Sequence, residues 1–385
     1  MKTAVAIIGA NFGDEGKGLM TDYFAKQNPK SLVIRFNGGA QAGHTVQLND
    51  GTRHVFHHFG SGSLRGCDTY LSRYFIVNPL LYKKEYNGLN KLIQQYNSRT
   101  FIDDSCLITT PWDILLNQEI AKYNGHGSCG IGINETVERF LEGYIITWGD
   151  ISTWNRKKIY LYLEMLAKEY VPTRLKTLEI KPSKEFNERL KLESIVEEFY
   201  FAIQIMYRTS LSMTLGEVKK WDNIIYEGAQ GLCLDQNNDT YFPHVTRSNT
   251  GIRNVELLEQ IIKSDKLEVV YVSRAYVTRH GNGYLPNEDK NLSYTDHTNI
   301  YNEFQGSLRY APLLTDDKPI HLEREITNDI FMAPIKLPYK KNVLAITCLD
   351  QVDEKTRLSL LSHPFSPAPL RYISYGPTAE DIRIR

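Results

Sequence analysis

Neither sign of charge predominates in this chain of 385 residues: 45 Lys and Arg balance 45 Asp and Glu. General binding to nucleic acid or to an acidic membrane surface draws on a basic excess, so both classes are disfavoured. Cysteine is scarce as well. The five present (Cys67, Cys106, Cys129, Cys233 and Cys348) include no C-x-x-C pair and are odd in number, so they read as buried thiols of a cytoplasmic protein, not as a disulfide framework. No apolar run reaches the roughly 18 residues of a membrane span. The N-terminus, one Lys and a brief apolar stretch followed at once by Asp and Glu, is unlike a secretory signal. Internal repeats and low-complexity tracts are lacking too.

What the chain has instead is a recurring pairing of an apolar strand with a glycine-containing loop. The first is Ala4–Ile8 followed by GANFGDEGKG at 9–18 and a helix-like segment from Leu19 to Lys26. Strand, glycine-rich turn and helix are the layout of a phosphate cradle, because backbone N–H groups approach an anion closely only where side chains are absent. Gly13, Gly16 and Gly18 serve that approach, and Lys17 is placed to meet a phosphate oxygen. The spacing is not that of the ordinary P-loop: Asn11 and Gly18 stand where that motif has Gly and Ser/Thr. Asp14 and Glu15 put carboxylates where a loop built only to hold phosphate avoids them, which points to a base or a metal ligand.

A second strand (31–37) runs into GGAQAGHT at 38–45, and in an open parallel sheet both loops lie at the carboxyl ends of strands, so His44 can face the first loop. His54, His57 and His58 occupy a strand-like context that does not converge them on one ion, and with no acidic or Cys partner nearby in sequence they read as structural. Cys129, in the glycine-rich stretch 125–134, reads as structural or steric. Residues 155–215 form a helical insertion with a solvated charged face, interrupted at Pro172 and Pro182. Further strands lead to EGAQG (227–231), RHGNG (279–283), Leu349-Asp350 and Gly376-Pro377-Thr378. The fold class expected is α/β: one domain over 1–385, with a mostly parallel sheet flanked by helices and the site along one edge.

Taken together, NFGDEGKG (11–18), GGAQAGHT (38–45), GIG (130–132), EGAQG (227–231), YFPHVTRSNT (241–250), VTRHGNGYLPNE (277–288), LD (349–350) and SYGPT (374–378) resemble the adenylosuccinate synthetases, in family order over almost the whole chain. The resemblance implies a P-loop-like, GTPase-related ligase fold and an enzyme of purine biosynthesis that joins L-aspartate to carbon 6 of inosinate (IMP) with GTP and Mg²⁺. It implies Asp14 as base and metal ligand, His44 and Lys17 on the transferring phosphoryl group, and the Gly43 carbonyl on the metal. Gly13, Glu15, Gly16, Gly18 and Thr45 fall around the triphosphate, with Arg309 nearby; Asp350, Ser374, Gly376 and Pro377 fall around the guanine. Gln41, Ala42, Ser128, Gln230 and Thr246 match positions that hold the purine monophosphate, and Arg139 is the candidate for an arginine reaching across a homodimer to the neighbouring nucleotide.

The amino-donor site is where the chain departs. The family's arginine-rich loop, preceded by paired threonines, corresponds to QGSLRYAP, which keeps Arg309 and neither threonine. Arg279 is the other candidate for the donor carboxylates. Cys348 replaces a lysine, Gly127-Ser128-Cys129 a threonine-rich loop, and Gln41 an asparagine. A (d)GMP-type substrate giving 2-aminoadenylosuccinate, another amino donor, a nucleotide sensor without ligation chemistry and a plain hydrolase stay open at this level.

Overall fold

The computed structural model describes residues 1–93, 98–124, 129–296, 298–299, 306–316, 318–333 and 339–385. Gly127, Ser128 and Gln305 lie outside the described residues.

Ten strands form one sheet. Its strands are β1 (Thr3–Gly9), β2 (Leu32–Arg35), β5 (Asp68–Leu71), β6 (Thr100–Ile102), β7 (Ser210–Ser212), β8 (Asn223–Gly231), β9 (Lys266–Arg274), β12 (Lys340–Thr347), β13 (Leu370–Ser374) and β14 (Ile382–Ile384). The order is β14-β13-β12-β9-β1-β8-β2-β5-β6-β7, with only β13–β14 antiparallel. Two small antiparallel ribbons stand apart from it: β3 (His44–Gln47) with β4 (Arg53–Phe56), and β10 (Tyr276–Arg279) with β11 (Arg309–Pro312). Of the run around HVFHHF, only Arg53–Phe56 is strand; it pairs with the chain that carries His44 rather than joining the sheet.

The run Thr3–Gly9 is buried from Ala4 onward because β1 is flanked on both sides, by β8 and β9, and covered on both faces. Helix α1 (Lys17–Gln27) follows, entered through Gly16 at φ 98°, and packs its Leu19, Met20 and Ala25 against Val5, Ile7 and Val33. Since β1 lies between β8 and β9, and β2 next to β8, the loops after these strands open onto one crevice at their carboxyl ends, the position in which open α/β sheets bind ligands.

The insertion is helical as expected, but Pro172 does not break it. The helix Arg156–Met165 continues through a wider π-type turn (Leu166–Tyr170) into Val171–Thr177, with Pro172 directly after the wide turn, where the backbone is already widened to an i→i−5 bond from Val171 N–H to Leu166 O. Phe199, Ile203 and Met206 of the helix Glu193–Thr209 close a second core with Tyr82, Leu89 and Trp148.

Candidate active site

A cavity of about 730 Å³ opens at the carboxyl ends of these strands. The first loop (Gly13, Asp14, Lys17), the second (Gln41 to His44), Gln230 and Thr246 all line it, and so do Arg279 and His280. Residues distant in sequence thus meet in one place.

The two neighbouring acids of the first loop have different surroundings. Glu15 is buried beneath the loop. Its Oε1 accepts the backbone N–H groups of Asn11 (3.1 Å) and Gly13 (2.7 Å), and its Oε2 pairs with Lys17 Nζ. Glycine permits this: a Cβ on Gly9 would come within 2.4 Å of the Glu15 carboxylate, and one on Gly231 within 2.5 Å. Glu15 is therefore corrected from a triphosphate contact to the loop's internal anion, and Lys17 rests on Glu15. Asp14, at φ 61°, projects into the cavity and faces His280 Nε2 at 3.5 Å.

His44 starts β3 and lies against α1, where Gly18 leaves room: a Cβ there would meet the Thr45 carbonyl oxygen at 2.8 Å. Its Nδ1–H donates to Glu227 Oε1 at 2.6 Å; Nε2 of this cavity-lining residue is buried without a partner among the described residues. Burial, opposed by Glu227 and aided by Arg35, brings the imidazole down to about 4, so it rests neutral. Glu227 also accepts the N–H of Ser61 (2.9 Å) and the Ser61 hydroxyl. Burial works against its charge, but His44 and Arg35 hold its carboxyl down at about 2. The EGAQG motif was legible in sequence; the support of Glu227 for His44 was not, because 183 residues separate them.

The three early histidines do have an acidic partner, brought from the helix Pro79–Leu92. Glu85 accepts the N–H groups of His57 and His58 (both 2.8 Å) and lies 3.4 Å from His58 Nδ1. His57 Nδ1 caps the carbonyls of Ala40 (3.0 Å) and Ala42 (3.1 Å), which shapes the second loop. Cys129 lines the cavity, and burial raises its thiol, which suits a steric wall and not a nucleophile.

Arg279 and Arg309 are direct cross-strand partners in the β10–β11 ribbon. Arg279 lies over Phe12, 4.4 Å from the ring centre, and donates to the carbonyls of Tyr284 (2.5 Å) and His244 (2.9 Å). Burial and the neighbouring Arg309 lower it to about 10. Arg309, which does not line the cavity, pairs with Glu288 at 2.7 Å and donates to Gly283 O. Each guanidinium keeps a buried Nε with no partner among the described residues. Asp350 is exposed just past β12, and Ser374, hydrogen-bonded to Gly376 O at 2.7 Å, ends the adjacent β13; together they mark the neighbouring rim of the same sheet edge. Arg139 is corrected outright. It is 1% exposed, with its donors committed to Asp113, Ile108 O, Tyr144 O and Tyr162, so it reaches no neighbouring subunit.

The model of the adenylosuccinate synthetase family matches residues 6–306. The chain belongs to that family. It is 28% identical over 299 residues to the adenylosuccinate synthetase of Pelodictyon phaeoclathratiforme, a match covering 74% of this chain and 65% of that one, so it spans a little under two thirds of that relative's length. The fully ligated adenylosuccinate synthetase of Plasmodium falciparum shares the fold with a TM-score of 0.73 at 18% identity, covering 99% of both chains. The succinoaminodeoxyadenylate synthetase of cyanophage S-2L, solved with dGMP and with dATP as energy donor, superposes with a TM-score of 0.61 at 14% identity over 100% of this chain and 95% of that one. The mostly parallel sheet expected from the strand and loop pattern is thus the fold of this family.

Proposed function

We propose that this chain is a carbon–nitrogen ligase that uses GTP to join the amino group of L-aspartate to C6 of IMP, giving adenylosuccinate, GDP and phosphate. The observation that carries the reading is the convergence of Asp14, Lys17 and His44 on the cavity that Gln230, Thr246 and Arg279 also line. A binding protein needs the glycines and the lysine; it does not need a carboxylate and an imidazole facing one cavity as well.

Asp14 takes the N1 proton of the purine, so that charge gathers on O6 as it attacks the γ-phosphorus and the bond to the bridging oxygen of GTP breaks. As the triphosphate's charge favours its protonation, His44 donates from Nε2 to the phosphoryl oxygens, with Glu227 balancing the imidazolium. Lys17 exchanges Glu15 for a phosphate oxygen. The amine then attacks C6 and phosphate leaves. Arg279, which lines the cavity, is the guanidinium on hand for a donor carboxylate, whereas Arg309 stands behind it, held by Glu288.

The residues suit Mg²⁺: Glu15 is taken up by Lys17 and two loop amides, Asp14 is left facing the cavity, and Mg²⁺ is ordinarily held by one or two carboxylates plus substrate phosphates. Asp14 and the Gly43 carbonyl would hold it, and it would neutralise phosphoryl charge. We also infer a homodimer, in which Arg139 takes no part in the neighbouring site. Incubation with GTP, Mg²⁺, IMP and L-aspartate should yield adenylosuccinate by mass spectrometry. Phosphate release that proceeds unchanged without amino acid would overturn the reading in favour of a hydrolase.

A further inference from the structure

Asp296 organises a short segment at the cavity's edge. Its Oδ1 accepts the backbone N–H groups of Thr298 and Asn299 (both 2.9 Å), and its Oδ2 accepts Asn299 Nδ2 at 2.9 Å. Arg274, at the end of β9, donates from Nη2 to that Oδ2 at 2.8 Å and from Nε to the Asp14 carbonyl oxygen at 2.5 Å. One guanidinium therefore ties the segment to the catalytic loop. At its far end Thr298 Oγ1 lies 3.1 Å from Thr45 Oγ1 and takes a hydrogen bond from Arg53 Nη2 at 2.5 Å, which fastens it to the ribbon that carries His44. Arg274 and Asp296 are 11% and 10% exposed, so this is an interior ion pair; burial opposes the Asp296 charge, but Arg274 and Asn299 hold the carboxyl down at about 2. Thr298 and Asn299 line the cavity beside Asp14, His44 and His280.

An ionised carboxylate only accepts hydrogen bonds, so Asp296 fixes the Asn299 amide with its NH₂ inward and leaves Oδ1 as the group that a ligand can meet. That oxygen and the negative Asp296 behind it disfavour a phosphate, which offers acceptors alone, and favour a ligand with N–H groups. We propose that Thr298 and Asn299 form the amino-donor wall of the site, contacting the donor amine in place of the paired threonines that the loop before Arg309 lacks, with Asp296 and Arg274 as positioning residues. This rests on the ligase reading above.

The test is calorimetric titration of L-aspartate into the full chain, saturated with IMP and a non-hydrolysable GTP analogue, for wild type, Asn299→Ala and Asp296→Asn. Titration of the GTP analogue and product formation with GTP are measured in parallel. Both variants should bind aspartate about tenfold or more weakly while the affinity for the GTP analogue stays within about twofold. Unchanged aspartate affinity in both variants overturns the proposal, as does an equal loss for aspartate and for the GTP analogue, which would mark general damage. Aspartate binding without product overturns the ligase reading and leaves the wall standing. A wild type that binds no aspartate overturns both.

Discussion

Lys17 and Glu15 form an ion pair within a single loop, at 3% and 2% exposure, and Asp14, immediately before Glu15 in sequence, is excluded from it. The loop thus carries its own counter-anion. Neighbouring carboxylates divide the work: one holds the loop together and the other faces the cavity.

The two acids should separate cleanly on mutation. Asp14→Ala removes a group that faces the cavity and should abolish turnover while GTP and IMP bind within about tenfold of wild type, or ~1.4 kcal/mol. Glu15→Ala leaves a buried Lys17 and two loop amides unpaired, and removing one partner of a buried pair costs on the order of 3–5 kcal/mol. It should show as a lowered midpoint in urea. Similar denaturation curves for the two variants would contradict this division.

Gly18 is set by the approach of α1 to β3. A methyl group at this position meets the Thr45 carbonyl oxygen at 2.8 Å and His44 Cβ at 3.1 Å, so Gly18→Ala must push His44 away from its place over the first loop. A displacement of about 1 Å at a catalytic group costs on the order of 100-fold in rate. We expect kcat to fall by that order with the purine-nucleotide KM little changed; an unaltered kcat would show that the ribbon yields without cost.

The sheet was legible because β1, β2, β8, β9 and β12 are apolar runs closed by glycine or polar turns, and the site because its loops carry distinctive local patterns. What was hidden is pairing at a distance. Glu227 with His44, Glu85 with His57 and His58, and Asp296 with Arg274 each join residues whose own segments give no sign of the partner. Arg139 misled for the same reason: the resemblance placed it by position alone, and its buried partner Asp113 lies 26 residues away.

Stability should depend on pH through groups that burial pushes in opposite directions. His44 and His321 are brought down to about 4, so each contributes stability present above its usual value of 6.5 and lost as pH falls towards about 4. Burial raises the Asp329 carboxyl to about 7, although it accepts the Ile252 N–H at 3.0 Å and the Tyr271 hydroxyl at 2.9 Å. Its sign is reversed: the native state holds a proton that the unfolded chain releases above 3.8, so stability is lost as pH rises towards about 7. Asp329→Asn is neutral throughout and keeps an acceptor for Ile252. Its stability relative to wild type, from urea denaturation, should therefore rise between about pH 4 and pH 8. A difference that stays constant with pH would refute the assignment.

The last prediction concerns Glu227, which touches no cavity surface. Glu227→Gln keeps the shape of the side chain and can still accept from His44 Nδ1–H, but it removes the charge that balances an imidazolium. Positioned acid catalysis contributes about 100-fold or more, so kcat should fall by that order while the affinity for GTP, set by the first loop, holds. Arg35, fully buried behind the pair with its Nε and Nη2 unpartnered among the described residues, loses a counter-charge in the same variant, so the midpoint of denaturation should also drop. The two effects are separable by measuring turnover at a temperature at which the variant is fully folded. Wild-type kcat under those conditions would reduce Glu227 to a structural anion and leave His44 to act on its own.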